Sequence, residues 1–486
     1  MRRSIHVIAL ILGGCHGQPL IAQSIDTVLI QEVGRYQHPY SIGTLSNSSF
    51  SCRIDRLDRP YLHMACWNLG LVVLDISEPG APVPVDTIGP EALGGLSVMY
   101  VEQRDDVLYL ALGAFDEDGQ GTGFATVDAS EPEELVVLDR WDGGAAWTSG
   151  SAIVSLNGDL AFLGAMEEGL VAFDITDPEA IQFVGSYQPD PDWPGLVSYP
   201  PNARGMAIQG DVLFLCYDAG ALRAISIADP ANMSELGRYL NPQQPALTPC
   251  AYNHVVIRDE VAFMATDFCG YEAVDISDPT AMQQLNWTNP WNCLGGSWFG
   301  SDGHANELAL AFGDTLLFSS AGDSELLIHD VSDPLAPTLV GGHIVPNDTA
   351  GAWGMDVHGD LVAVCLFNNS LLPFQPFYSR FGGVLLFRWE AVRTNEVPVP
   401  DGKPTTEPRI WHDPRSGILH IEGAIPGERM TIQVLDAQGR LVQEEHIRAN
   451  PEHISVGLRG SASGIHHVRI ITASGRYGKH IAIGLD

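Results

Sequence analysis

An all-β chain, built as a closed array of seven four-stranded antiparallel sheets followed by a small β-sandwich, is the fold class predicted by three features of the sequence. First, the segment "GLVVLDISEPGAP" at residues 70–82 returns five times, as "GFATVDASEPEE", "GLVAFDITDPEA", "ALRAISIADPAN", "YEAVDISDPTAM" and "ELLIHDVSDPLA". The prolines of the six copies, Pro79, Pro132, Pro178, Pro230, Pro279 and Pro334, stand 46 to 55 residues apart. That period is far too long for a leucine-rich repeat and suits one blade of a β-propeller. Second, each unit reads as four short strands with no helix between units. Third, 51 glycines and 32 prolines accompany 45% hydrophobic residues, a composition that favours many strands and turns.

The N-terminal residues 1–22 carry Arg2 and Arg3, an apolar run and small residues before Gln23, which reads as a cleaved secretory signal peptide too short to span a bilayer. An imperfect lipobox ending at Cys15 keeps lipidation open as an alternative. No other stretch approaches transmembrane length. Export permits disulfides: Cys52 with Cys66, and Cys250 with Cys269, each flank a predicted hairpin, whereas Cys216 and Cys365 sit in apolar strands as core residues. There is no Cys-x-x-Cys to suggest zinc or thiol redox chemistry.

One blade can be read strand by strand in residues 151–188. "SAIVSL" is a first strand, "NGD" a tight turn, "LAFLGA" a second strand, "GLVAFDI" a third and "IQFVGSY" a fourth. The aspartate of each motif (Asp75, Asp128, Asp174, Asp275, Asp330) is first of all a turn residue that bonds its own backbone, and the proline then ends the strand. Blade 4 carries Ser226 instead, which a shared metal role would not allow. Six blades begin near Ser51, Gly95, Ser151, Ala203, Tyr252 and Asn306. A seventh, over residues 352–390, has three strands and no motif. "VLIQEVGRY" at residues 28–36 resembles a fourth strand with no blade before it, so it is expected to complete blade 7 and close the ring, removing the exposed edges. The propeller then spans residues 23–390, and a proline-rich linker covers residues 391–408.

With six copies quoted, the repeat resembles the LVIVD repeat of secreted and surface proteins, over about residues 28–390. That resemblance implies a propeller fold and an extracellular setting and carries no shared catalytic residues. The tail, residues 409–486, is strand-rich with hairpin turns at "DAQGR" and "TASGR". From His412 onward it resembles the C-terminal sorting domain of type IX secretion cargo: Asp413-Pro414 stands where Asn-Pro is usual, "MTIQVLDAQGRLV" is the central hairpin, and Lys479 leads the last strand. His466 and His467 depart from the usual tyrosine region. The resemblance implies export by the type IX machinery, to the cell surface of a Gram-negative bacterium or beyond it. A generic carbohydrate-binding or Ig-like module is the alternative.

The net charge of −35 argues against nucleic acid or anionic membrane as partner. No Gly-x-Ser-x-Gly elbow, HExxH or P-loop is present, and "GQGTG" at residues 119–123 reads as loop. Asp116, Glu117 and Asp118 crowd a hairpin loop where oxygen ligands could hold Ca²⁺, although a solvated acidic loop is the simpler reading; no other cofactor is expected. Trp147, Arg204, His254, His304, Glu307 and Trp353 stand just before first strands, so they are expected to gather at one mouth of the central channel. His304 with Glu307 is a candidate metal or acid–base pair. A monomeric binding or scaffold protein for an extracellular glycan, peptide or protein is the favoured reading. A hydrolase or lyase acting at the channel mouth is the alternative, and purely structural packing a third. A raised carboxylate beside His254 or His304 would favour the enzyme.

Overall fold

The computed structural model describes residues 27–38, 48–113, 121–195, 200–243, 251–290, 304–321, 325–343, 351–367, 382–392, 409–413, 418–422, 429–435, 441–448, 453–458, 464–472 and 476–483. The signal peptide, the acidic residues Asp116, Glu117 and Asp118, Cys250, and linker residues 393–408 lie outside these. The last strand of the propeller, Gly383–Val392, extends two residues past the expected boundary.

Seven four-stranded antiparallel sheets form the propeller. Blade 1 comprises Ser51–Ile54, Tyr61–Ala65, Leu71–Asp75 and Val83–Ile88; blades 2 to 6 have first strands Val98–Arg104, Ile153–Asn157, Gly205–Gln209, Tyr252–Arg258 and Ala305–Ala311. Blade 7 takes Gly351–His358, Leu361–Phe367 and Gly383–Val392 from one end of the propeller and Thr27–Gln37 from the other. In that last pair Thr27 faces Val392 and Gln37 faces Gly383. Blade 7 also meets blade 1 directly, because the Ile54 N–H donates to Asp356 Oδ2 at 2.8 Å.

The motif aspartates close local turns: Asp75, Asp128, Asp174, Asp275 and Asp330 each accept the backbone N–H two residues on, at 2.7 to 2.9 Å. These turns also join blades. In every outer strand one apolar residue bulges from the ladder: Val33, Val85, Leu138, Val184, Leu236, Leu285 and Val340. The residue after the bulge then meets the following blade. At Gly185 and Gly237 a Cβ would lie 2.5 Å from Pro230 O and 2.2 Å from Pro279 O, so no side chain fits. At the equivalent Asp86 and Asp139 the side chain instead accepts the N–H of Leu135 and Ile181, at 2.7 and 2.8 Å. The proline turn is therefore a strand stop and a blade-to-blade joint at once.

Between blades, second and third strands bury aromatic and branched residues, as in the stack of Phe124 on Phe173 with ring centroids 4.7 Å apart. Cys52 and Cys66 do not form the expected disulfide; both are free and buried. Cys52 lies opposite Met64, two residues short of Cys66, and its thiol faces the Ala363 carbonyl of blade 7 at 3.8 Å. The Cys66 thiol turns instead to Ser49 Oγ, at 3.6 Å. Cys269 is disulfide-bonded, and the four other described cysteines are free, so its partner lies outside the described residues. The tail forms two sheets, Arg409–Asp413, Ile418–Glu422 and His453–Gly457 in one and Arg429–Leu435, Leu441–Arg448, Gly464–Thr472 and Arg476–Ile483 in the other. Ile421 and Val456 of the first share one core with Ile432 and Val468 of the second.

Candidate functional site

The two faces of the ring are built differently. On one face the first and second strands join through tight turns such as residues 158–159 and 210–211, where Gly158 and Gly210 have φ of 57° and 59°. The other face carries the connections from each outer strand to the next blade and from second to third strands. There the repeat imposes a left-handed residue, Trp67, Met166 or Asp218 with φ of 48°, 46° and 44°. Each bridges the start of the next blade, at Val98, at Ala203 just before its first strand, and at Tyr252 respectively. A left-handed backbone costs a non-glycine residue about 1–2 kcal/mol, and the scaffold holds it whatever the side chain. Asp267, the second residue beyond Ala265 in blade 5, is the counterpart of Asp218.

Trp353 is the hub of this mouth. Arg204 lies over its ring with the guanidinium carbon 5.6 Å from the centroid, and His304 stacks on it at 5.5 Å and 25°. His304 Nε2 sits 2.5 Å from Asp267 Oδ1, and Asn253 donates to the same oxygen at 3.5 Å. Asn202 Nδ2 donates to Asp218 Oδ2 at 3.4 Å. Burial pushes the Asp218 carboxyl up to about 6, with Asp267 adding to the rise and Arg204 opposing it. Phe50 and Phe367 also pack against Trp353, at 5.7 and 4.9 Å. Blades 4 to 7 thus place a cation, two carboxylates, an imidazole and an indole around one opening.

Deeper in the channel, Arg53 of blade 1 organises a second group. Its guanidinium donates to Glu102 Oε1 and Oε2 at 3.1 and 2.9 Å, to the Tyr100 hydroxyl and to the Cys52 carbonyl. Asp356 and Glu307 approach the same guanidinium at 3.7 and 3.9 Å. Arg56 holds Asp356 at 2.7 Å. Glu307 Oε2 accepts the Met355 N–H at 2.8 Å, and His254 Nε2 stands 3.8 Å from Glu307 Oε1. Val256, Leu308, Leu310 and Met355 join these groups around a cavity of about 210 Å³.

Burial raises the Glu307 carboxyl from 4.5 to about 7; Arg53 and the Met355 N–H oppose the rise, and Asp356 and Glu102 add to it. Burial lowers His254 from 6.5 to about 3, and Arg53 lowers it further. Because the folded protein holds the Glu307 proton more tightly than the unfolded chain, its contribution to stability is complete below about pH 4.5 and is lost as pH rises through about 7. Glu307→Gln is therefore expected to flatten the dependence of unfolding free energy on pH between 5 and 8, by on the order of 2–3 kcal/mol. Denaturant titrations at the two pH values check this, and an unchanged slope would mean that Glu307 is ionised throughout. His254 acts in the opposite sense, costing stability as pH falls below 6.5.

Of the six residues expected at the mouth, Arg204, His304 and Trp353 meet there. His254 and Glu307 line the cavity below, and His304 pairs with Asp267, not with Glu307. The first strand of blade 6 carries an irregularity between Ala305 and Leu308, immediately after His304 and around Glu307. Trp147 is elsewhere: its connection makes a short 3-10 turn, Gly144–Ala146, and the indole packs edge-on against Trp141 of the outer strand at 5.8 Å. Asp218, Asp267, Arg53, Glu102 and Asp356 were not anticipated. Aligning the repeats on their second strands would have signalled the first two, since the left-handed position holds Trp, Met, Asp and Asp in blades 1, 3, 4 and 5. No cluster of three or more His, Cys, Asp or Glu with metal-holding geometry occurs among the described residues.

Residues 409–484 match the secretion system C-terminal sorting domain. Residues 60–87, 150–189 and 320–343 match the LVIVD repeat. The chain therefore carries LVIVD repeats on a type IX sorting domain and is secreted, or held at the cell surface, by a Gram-negative bacterium. Its tail interacts with that secretion machinery. Among the described residues no helix is long and apolar enough to cross a membrane. No curated protein matches the sequence. A solved chain of the mitotic checkpoint complex is 11% identical, covering 79% of this chain and 99% of its own with a TM-score of 0.50. The computationally designed Ika8 protein is also 11% identical, covering 74% and 99% with a TM-score of 0.41. At this identity the first likeness is one of fold alone, and a fold shared so widely does not select an activity.

Proposed function

We propose that this exported propeller is a monomeric binding protein whose mouth takes a polar extracellular ligand, a glycan or a peptide. The observation that carries this reading is the convergence of Arg204, His304 and Asp267 around Trp353, with Asp218 nearby, on a scaffold that keeps the backbone constant and varies the side chain. Such a set offers donors, acceptors and an aromatic face together, the requirement for holding a polar ligand in one orientation. Binding of the purified exported protein to glycan and peptide arrays tests it. Arg204→Ala and Asp218→Asn are each expected to weaken retention about tenfold or more, the scale of a lost charged hydrogen bond, while the melting profile keeps a single transition. Equal retention by wild type and both variants would place the ligand elsewhere.

The hydrolase reading draws on Glu307, a carboxyl poised near 7 beside His254. General acid catalysis suits such a group, yet a glycosidase also needs a second free carboxylate. Glu102 and Asp356 are each held by a guanidinium. Binding is therefore the better-supported reading.

A further inference from the structure

We infer that the channel holds a second binding site, separate from the mouth, for an uncharged polyhydroxylated molecule of about the size of one sugar ring. Its location is the cavity of about 210 Å³ between blades 1, 2, 5, 6 and 7. Drug-sized ligand pockets run to roughly 300–1,000 Å³, so this one admits a single ring and not an oligomer.

The polar groups around it are nearly all committed. Arg53 is taken by Glu102, Tyr100 and the Cys52 carbonyl. Asp356 is taken by the Ile54 N–H and Arg56. Two buried groups, His254 and Glu307, each keep one atom without a protein partner. His254 Nδ1 accepts the Leu308 N–H at 3.4 Å, which leaves the proton of the neutral imidazole on Nε2. Glu307 uses Oε2 for the Met355 N–H, and its Oε1 has His254 at 3.8 Å and Arg53 at 3.9 Å as its neighbours, beyond hydrogen-bond length. The residue is only 5% exposed. With Glu307 neutral and its Oε2 accepting from Met355, the carboxyl proton lies on Oε1, so Oε1–H and the His254 Nε2–H, too far apart to bond each other, fit one hydroxyl oxygen that accepts from both. Val256, Ala309, Leu310 and Met355 supply the apolar face that the carbon side of a sugar ring covers.

Charge selects against other ligands. With the Glu307 carboxyl raised by burial, the two guanidinium groups of Arg53 and Arg56 balance the Glu102 and Asp356 carboxylates, and no net charge remains for an ion to neutralise.

Calorimetric titration of the full-length protein at pH 6 with glucose, galactose, mannose and xylose, beside cationic glucosamine and anionic glucuronate, tests the inference. Saturable binding of a neutral sugar is expected, weakened about tenfold or more by Ala309→Phe, which fills the cavity, and by Glu307→Met, which removes the oxygen. Arg204→Ala at the mouth should leave it within about twofold. Val256→Met provides a second cavity-filling variant if Ala309→Phe does not fold. Absence of saturation by every neutral sugar, tighter binding of either charged sugar, or loss of binding in Arg204→Ala would each overturn the second site. Array retention that depends on Arg204 and is indifferent to Ala309→Phe would leave the mouth reading intact while this one fails.

Discussion

Arg53→Ala is expected to destabilise the protein by about 3–5 kcal/mol, the scale for removing one partner of a buried ion pair. Arg53 is 8% exposed and is the centre to which Glu102, Asp356 and Glu307 all turn. Taking it away leaves the buried Tyr100 hydroxyl and the Asp356 and Glu307 carboxyls without their shared cation, and removes the bidentate partner of the half-buried Glu102. Urea titrations of wild type and variant measure the difference. The double change Arg53→Met with Glu102→Leu should recover much of the loss, because well-packed apolar residues often replace a buried pair at little cost. A loss under about 1 kcal/mol in Arg53→Ala would mean that the network adds nothing to the fold.

The second large effect is expected from removing residues 23–37. The strand Thr27–Gln37 completes blade 7, and without it Gly383–Val392 becomes an unpaired edge. Val28 is also lost from the cluster it shares with Phe318, Val362 and Phe387. It fills a further role: Gly341 of blade 6 packs its Cα against the Val28 carbonyl, where other blades offer a proline turn. The truncated protein should lose its single cooperative melting transition and associate on size-exclusion chromatography. A synthetic peptide of residues 23–37 should restore both when added in excess. A truncated chain that stays monomeric and melts within about 2 °C of the full chain would show that the ring does not depend on this strand.

Turns and strands were legible because each is specified locally. The Asp-x-Ser/Thr-x-Pro unit needs nothing beyond its own backbone to form an Asx turn, and five copies of it, with the Ser226 variant as a sixth, set the blade period. The position just before each first strand found Arg204, His304 and Trp353, since the topology delivers that position to one opening. The same rule failed at Trp147, where the connection turns back onto Trp141 and carries the indole to the rim. It placed His254 and Glu307 one level too high, because strand register and the irregularity around Glu307 decide how far down the channel a side chain points. Cys52 and Cys66 look bridgeable across a hairpin, yet pairing Cys52 with Met64 offsets the thiols by two residues.

The order of residues alone thus settled the all-β class, the blade count, the turn chemistry and the export address, all of which rest on repetition, local hydrogen bonding or a contiguous domain. Tertiary packing alone decided the chemistry at the centre. Arg53, Glu102, Glu307 and Asp356 come from four different blades, each an unremarkable charge in its own strand. Their meeting, the shifted Glu307 carboxyl and the gap between it and His254 exist only because seven sheets pack around one axis and bury these groups together.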